Sequence, residues 1–316
     1  MHLRPARYPW RLNAYGLHLA SSFPLSGFSR SSVGGPPDLV IDVRGPLSQT
    51  SARAPADGEV VWSTVIDGAE IEVRRNHAGV HSFRSGQDAH FRLTTSSRQL
   101  VCDVRDPTGF EWQRVLLDTV LFSAALIMGE EAIHAGAVER DGGVVAIVSP
   151  SGGGKTSVAA EFLLRGYSLF TDDVLVLRDS GDSIAAQPGP PLMNLPDNLM
   201  PRLAGLATSL ARVPSTDEHW VLVPSAARPP APLEAICLLE RGGWRDQSIT
   251  VVEPSPLTLL SQAVFYRHLT DRAEQRFSLH AAVARHVPVY RVRANLKASS
   301  STIADLVETG LHQPAT

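Results

Sequence analysis

The sequence predicts an α/β protein: a mixed twisted sheet flanked by helices, with a phosphate-binding loop, preceded by a β-rich N-terminal domain. Three observations predict it. A β-branched run, Val144 to Val148, leads directly into Ser149-Pro150-Ser151-Gly152-Gly153-Gly154-Lys155-Thr156, which opens a helical pattern. Upstream, short alternating segments punctuated by Gly, Pro, Asp and Ser fill the N-terminal third. Between these regions the apolar spacing changes to that of a helix.

Met1 to Pro9 is basic and without pattern. Trp10 to Leu25 alternates around Leu12, Ala14, Leu17 and Leu19, as a strand pair or a strand with a turn would. Ser26 to Pro37 and Gly45 to Asp57 read as loops. Asp38 to Val43 reads as a strand, and Glu59 to Thr64 with Ala69 to Arg74 flank an Asp67-Gly68 hairpin signal. Val80 to Phe83, Ala89 to Thr94 and Leu100 to Val104 continue the run. This region carries no catalytic constellation and reads either as a scaffold or as a platform for a protein or peptide partner. Phe110 to Glu131 repeats Trp112, Val115, Leu116, Val120, Leu121, Ala124 and Leu126 at helical spacing. The boundary is placed at Asp106-Pro107-Thr108-Gly109, dividing the chain into 1–108 and 109–316, with the helix packing on the second domain.

The loop suits a polyphosphate for physical reasons. Consecutive glycines let backbone N–H groups turn inward where a side chain would block close approach. The helix that follows, Ser157 to Arg165, offers free N–H groups and a positive dipole end. Ser149, Ser151, Gly152, Gly153, Gly154, Lys155, Thr156 and Ser157 are the nucleotide-binding candidates. Lys155 reaches the β- and γ-phosphates in this pattern, and the Thr156 hydroxyl ligates Mg²⁺. Ser149 stands where the pattern has its first glycine. A chance GGGKT in a polar linker is the alternative, and the strand before and helix after argue against it. Lys155 and Lys297 are the only lysines in an arginine-rich chain, and lysine is a compact point charge that arginine does not reproduce.

Asp172 and Asp173 follow Tyr167 to Thr171, a length that fits one helix, a Gly166 cap and a returning strand beside the loop strand. Ligands collect at such carboxyl edges. Adjacent strand residues point to opposite faces, so one acid can hold a metal while the other accepts a proton. A polar turn with solvated acids is the alternative. His134 precedes Lys155 by 21 residues; a histidine alone in a small-residue strand is more often structural than catalytic.

His134, the loop SPSGGGKT and Asp172-Asp173 together resemble, in order and spacing, the catalytic domain of the HPr kinase/phosphorylase family. The resemblance implies that Asp173 accepts the proton, Lys155 is the catalytic phosphate-binding lysine, His134 assists and Thr156 ligates magnesium. Asp172 and Asp197 complete the candidate metal set, Asp197 by its distance downstream of the acid pair. The family's downstream glutamate signature is not visible, and Arg241 and Arg245 are the candidates for its later arginine. The opening Tyr15 to Leu25 resembles divergent HPr-kinase-like proteins encoded with lasso-peptide and related tailoring systems, which implies a precursor-peptide serine as acceptor.

Downstream, Ile184 to Ala186, Leu233 to Leu239, Ser248 to Val252 and Val287 to Arg293 read as strands. Leu195 to Leu210, Pro256 to Tyr266, Arg272 to Arg285 and Ser299 to Leu311 read as helices. Gln187 to Pro191 reads as an irregular rim segment and Val213 to Pro232 as a loop.

A net charge of −3 supplies no basic field for nucleic acid. Cys102 and Cys237 lack CxxC spacing, which points to a reducing compartment and away from zinc or disulfides. No signal-peptide pattern opens the chain, and Val115 to Gly129 is interrupted by Asp118 and too short to span a bilayer. A cytoplasmic protein is expected, with no membrane partner and room for a homo-oligomer. The expected activity is an ATP- and Mg²⁺-dependent kinase acting on a serine of a peptide or protein. The alternatives are a small-molecule kinase and a non-catalytic nucleotide sensor. A carboxykinase is disfavoured, since no extra metal-ligand histidine and lysine flank the site.

Overall fold

The computed structural model describes residues 7–30, 35–45, 57–66, 69–213, 216–224, 229–253, 255–261 and 269–311. Two compact units emerge: Met1–Gly129 with Ala211–Thr216 and Phe265–Asp271, and Glu130–Leu210 with Asp217–Val264 and Arg272–Thr316.

The first unit holds β1 (Trp10–Ala14), β2 (Leu17–Ser21), β3 (Ser29–Arg30), β4 (Leu39–Arg44), β5 (Glu59–Ile66), β6 (Ala69–Arg75), β7 (Val80–Ser85), β8 (Ala89–Thr94) and β9 (Gln99–Val104). They form one nine-stranded sheet in the order β3-β1-β2-β4-β9-β8-β7-β6-β5. Tyr15 and Gly16 join β1 to β2 with φ of 55° and 77°, the left-handed pair that a tight hairpin turn requires. β5 and β6 pair as the hairpin signal predicts, although Asp67 and Gly68 themselves lie outside the described residues. Ala89, Phe91 and Leu93 of β8 are buried in alternation, which is the period-2 pattern made physical.

The helix α1 follows, built from Glu111–Val115, a π-helical turn Leu116–Val120 and Leu121–Met128, and stops at Gly129 with φ 128°. The sequence reading placed this helix on the nucleotide-binding domain. It groups instead with the first unit. Gln113 Oε1 accepts from Ser26 N and Oγ at 3.1 and 3.2 Å, Tyr15 Oη donates to Leu117 O at 3.4 Å, and Trp112 packs edge-on to Phe23. An apolar helix face announces burial but does not say against which sheet. Among the described residues no helix is long and apolar enough to cross a membrane.

The second unit contains β10 (Glu131–His134), β11 (Gly136–Arg140), β12 (Gly143–Val148), α2 (Lys155–Leu164), β13 (Ser168–Thr171), β14 (Val174–Asp179), β15 (Ile184–Gln187), β16 (Leu192–Pro196), β17 (Thr208–Arg212, whose Ala211 and Arg212 group with the first unit), β18 (Glu218–Leu222), β19 (Ala231–Gly242), β20 (Ser248–Val252), α3 (Pro256–Leu260), α4 (Ala273–His286), β21 (Val289–Asn295) and α5 (Ser300–Leu311). Its main sheet runs β10-β14-β15-β19-β12-β11-β13, with β21 paired to β19 and β20 to β21. The sheet is mixed: β12 is parallel to β19 and antiparallel to β11.

Helices cover both faces. Val144, Ala146 and Val148 of β12 share a cluster with Leu259 of α3 and with Leu279, Ala282 and Val283 of α4. Val145 and Ile147 share another with Val158, Ala159 and Phe162 of α2 and Ile303, Ala304 and Val307 of α5. Every residue of β12 is buried, which is why it reads as a continuous apolar run.

Two downstream expectations are corrected. Leu195 to Leu210 is not a helix. The segment completes β16, makes one 3₁₀ turn at Asp197–Leu199 and later enters β17. Pro196, Pro201 and Gly205 break the helical path, and Leu195 gains a partner in His219 instead. Val213 to Pro232 is not all loop, because Glu218–Leu222 forms β18 at the centre of the small sheet β16-β18-β17. Of the predicted helix Pro256 to Tyr266, Pro256–Leu260 is helical and 262–268 lie outside the described residues.

Candidate active site

β12 and β13 run in the same direction, because each pairs antiparallel to β11 between them. Both therefore release their chains at the same sheet edge. The sequence reading set the acid strand directly beside the loop strand. The structure inserts β11, whose own start is pressed against the acids: a Cβ on Gly136 would lie 2.8 Å from Asp172 O.

The loop is a tight turn at the mouth of α2. Gly154 caps the helix at φ 101°. A Cβ on Gly153 would sit 2.6 Å from Ser149 Oγ and 2.9 Å from Pro150 O, so only glycine fits there. Ser149, which replaces the expected glycine, has no positive φ, and its hydroxyl donates to Pro150 O at 3.2 Å. Serine is therefore accommodated without strain at that position. Ser151 is exposed, while Thr156 and Ser157 are half-buried in the first helical turn.

Lys155 is buried, and its Nζ donates to Ser149 O at 3.1 Å. The same Nζ lies 2.9 Å from His134 Nε2. An ammonium can only donate, so Nε2 accepts and the ring proton sits on Nδ1. Nδ1 is 3.8 Å from Asp173 Oδ1, which places Asp173, His134 and Lys155 in a row. Burial depresses the His134 pKa below 6.5; Asp173 opposes that shift and the Lys155 charge adds to it. Burial likewise lowers Lys155 from 10.5, against Asp173 and Asp172.

The two acids diverge. Asp172 is buried, and its Oδ1 accepts from Thr156 Oγ1 at 3.0 Å while Oδ2 accepts from Asn194 N at 2.9 Å. The Asp173 side chain keeps 61% of its surface exposed. Asn194 was not singled out from sequence; a backbone N–H acting through a strand leaves no side-chain signature. The segment before it packs on Thr171, the residue preceding the acids, since a Cβ on Gly189 would collide with Thr171 Oγ1.

Asp197 does not join Thr156 and Asp172 through any contact described. It pairs with His219 Nε2 at 2.9 Å, and His219 Nδ1 lies 2.9 Å from Ser209 Oγ. Among the described residues no group of three or more His, Cys, Asp and Glu could hold a metal ion alone. Thr156 and Asp172 are hard oxygen donors and suit Mg²⁺, which characteristically keeps waters and phosphate oxygens as its other ligands.

Arg241 stands at this loop. Its Nη1 would be 3.6 Å from a Cβ on Gly154, and its Nη2 donates to Leu296 O and Ala298 O at 2.9 and 2.7 Å. Arg245, the other arginine candidate, is exposed in the following turn.

No protein-family model matches this chain, and no curated protein matches it. Among solved structures, the Hpr(Ser) kinase/phosphatase from Coxiella burnetii aligns with a TM-score of 0.32 and 12% identity over 57% of this chain and 95% of that one. The reading of the site accordingly rests on its own side chains.

Proposed function

We propose that this protein is a phosphotransferase that uses ATP with Mg²⁺ to phosphorylate a serine hydroxyl of a peptide or protein. The observation that carries the reading is Lys155 beneath its glycine loop, 2.9 Å from His134 Nε2, with the next residue, Thr156, 3.0 Å from Asp172. One loop and one helix start thus present a phosphate cradle, a cation and a pair of metal donors side by side.

Phosphoryl transfer asks a protein mainly for positioning and charge neutralisation. The loop N–H groups and Lys155 hold the β- and γ-phosphates. Thr156 and Asp172 would hold magnesium, which neutralises phosphate charge when bound. Asp173, exposed at the mouth, accepts the acceptor's hydroxyl proton as the new O–P bond forms and the bond to ADP breaks. His134 lies between Lys155 and Asp173, its Nε2 2.9 Å from Lys155 Nζ and its Nδ1 3.8 Å from the Asp173 carboxylate, and positions Lys155. The peptide acceptor is what the resemblance of the opening Tyr15 to Leu25 to divergent HPr-kinase-like proteins of peptide-tailoring systems implies.

The test is to incubate the protein with Mg-ATP and the peptides encoded beside its gene and to read their masses. A phosphate gain on a serine, absent with Lys155→Ala, is expected. Equal transfer by Lys155→Ala would sink the assignment. Transfer to free serine without any peptide would make it a small-molecule kinase, and tight ATP binding without transfer would make it a sensor.

A further inference from the structure

The small sheet β16-β18-β17 gathers three side chains that the glycine-loop site does not use. His219 stands in β18 opposite Leu195 of β16. Asp197 follows just past the end of β16, where its N–H donates to Asp217 O at 2.8 Å. Ser209 stands in β17.

His219 Nε2 lies 2.9 Å from Asp197 Oδ1, and His219 Nδ1 lies 2.9 Å from Ser209 Oγ. A carboxylate can only accept, so the ring proton sits on Nε2 and the Nδ1 lone pair faces the serine hydroxyl. A nucleophile, a base and an acid that orients the base thus form a chain through both ring nitrogens. Asp197 Oδ1 is closed to solvent, whereas Ser209 is exposed. The acid oxygen is sheltered where its charge acts most strongly on the ring, and the hydroxyl is open to an incoming molecule. A serine on an exposed strand needs neither partner for stability, because water satisfies its hydroxyl.

We propose that Ser209, His219 and Asp197 form an acyl-transfer site that hydrolyses small carboxyl esters. Ser209 Oγ attacks the ester carbonyl carbon, and its proton passes to His219 Nδ1. The tetrahedral intermediate collapses, and the alkoxide leaves with that proton as the alcohol. Water then attacks the acyl-serine and gives a proton to Nδ1, which returns it to Ser209 Oγ as the carboxylic acid departs. Asp197 holds the ring in the tautomer this needs and faces the imidazolium that forms. Ser209 and Leu210 are consecutive in β17, the outer strand of the small sheet, so one of them turns its N–H away from β18, where an oxyanion can be received. Because Ser209 is exposed, short-chain esters reach it from solvent. This activity is separate from phosphoryl transfer and does not rest on that reading.

The experiment treats the full chain with a fluorophosphonate, which bonds to an activated serine as fluoride leaves, and maps the label by peptide mass. Hydrolysis of p-nitrophenyl acetate is followed in parallel. The expected result is one label on Ser209 and ester turnover in the wild type, both lost in Ser209→Ala. His219→Gln, which keeps hydrogen-bonding groups but cannot relay a proton, should slow labelling and turnover by about 10²-fold or more. Asp197→Asn should slow both by about ten-fold or more, with partial recovery in Asp197→Glu, which restores the carboxylate. Melting temperatures of all four variants close to that of the wild type tie these losses to the chemistry. A wild type that takes no label at Ser209 overturns the proposal. So does turnover that survives in Ser209→Ala, or labelling at the wild-type rate in His219→Gln or Asp197→Asn.

Discussion

Lys155 and His134 meet at 2.9 Å, and one of them must be neutral for that contact to be favourable. The depressed His134 pKa says which one. Neutral imidazole is retained as pH falls through 6.5, and protonation at a lower pH sets two cations against each other. The acid limb of the transfer rate is therefore expected below the ordinary histidine value. His134→Gln sets an amide oxygen that cannot titrate near the Nε2 position, so a pH–rate profile of that variant should lose the limb; an identical limb in both proteins would assign it elsewhere. Asp173 is argued as the proton acceptor because its side chain is exposed beside His134. Asp173→Asn should lower kcat by about 10²- to 10⁴-fold while sparing ATP affinity. Calorimetry beside the transfer assay checks this, and parallel loss of binding would mean a structural role. At this scale the residue types and their spacing were legible in the sequence. The Asn194 N–H on Asp172 and the pairing of Asp197 with His219 were not, because both depend on β16 lying where it does.

The helix behind the loop, α2, is fastened at its far end. Arg165 binds Glu308 and Asp305 of α5 at 2.6 and 2.9 Å, and buried Glu161 takes Arg202 at 2.7 Å. Phe162 is fully buried between α2 and the sheet. Phe162→Ala is expected to cost about 3–5 kcal/mol, read as a lower denaturant midpoint at unchanged slope. The loop itself offers a complementary variant. In Gly153→Ala the new methyl would meet Pro150 O at 2.9 Å, and backbone cannot yield as a side chain can. That variant should lose ATP binding with little change in melting temperature; normal ATP affinity would show that the turn has more room than its geometry indicates. Strands and helices with a clean period were readable from sequence. Leu195 to Leu210 was not, since its apolar spacing suits a helix and its prolines suit an interruption, and pairing with β18 decided between them.

Buried or half-buried histidines are spread over both units: buried His81 and half-buried His90 in the first, half-buried His134 and buried His280 in the second. Burial is the leading cause of a lowered pKa at each. The unfolded chain takes up these protons below 6.5, whereas the folded chain resists until lower pH. Stability should therefore be full above that value and decline as pH falls from about 6.5 toward the folded pKa values. Melting temperatures at about pH 7.5 and pH 5.5 test this, and a rise on acidification would contradict it. His81→Phe removes one titrating group and should narrow the gap.

The amino-acid sequence alone determined that a strand, a glycine-rich loop and a helix follow one another, that paired acids return to that loop and that a β-rich unit precedes it. These are local properties, set by side-chain period, glycine and the chemistry of single residues. The tertiary structure decided that β11 separates the two site strands, that α1 belongs to the first unit and that the end of β19 brings Arg241 to the loop. Each of these depends on which elements pair across long stretches of chain, and local periodicity carries no information about the partner.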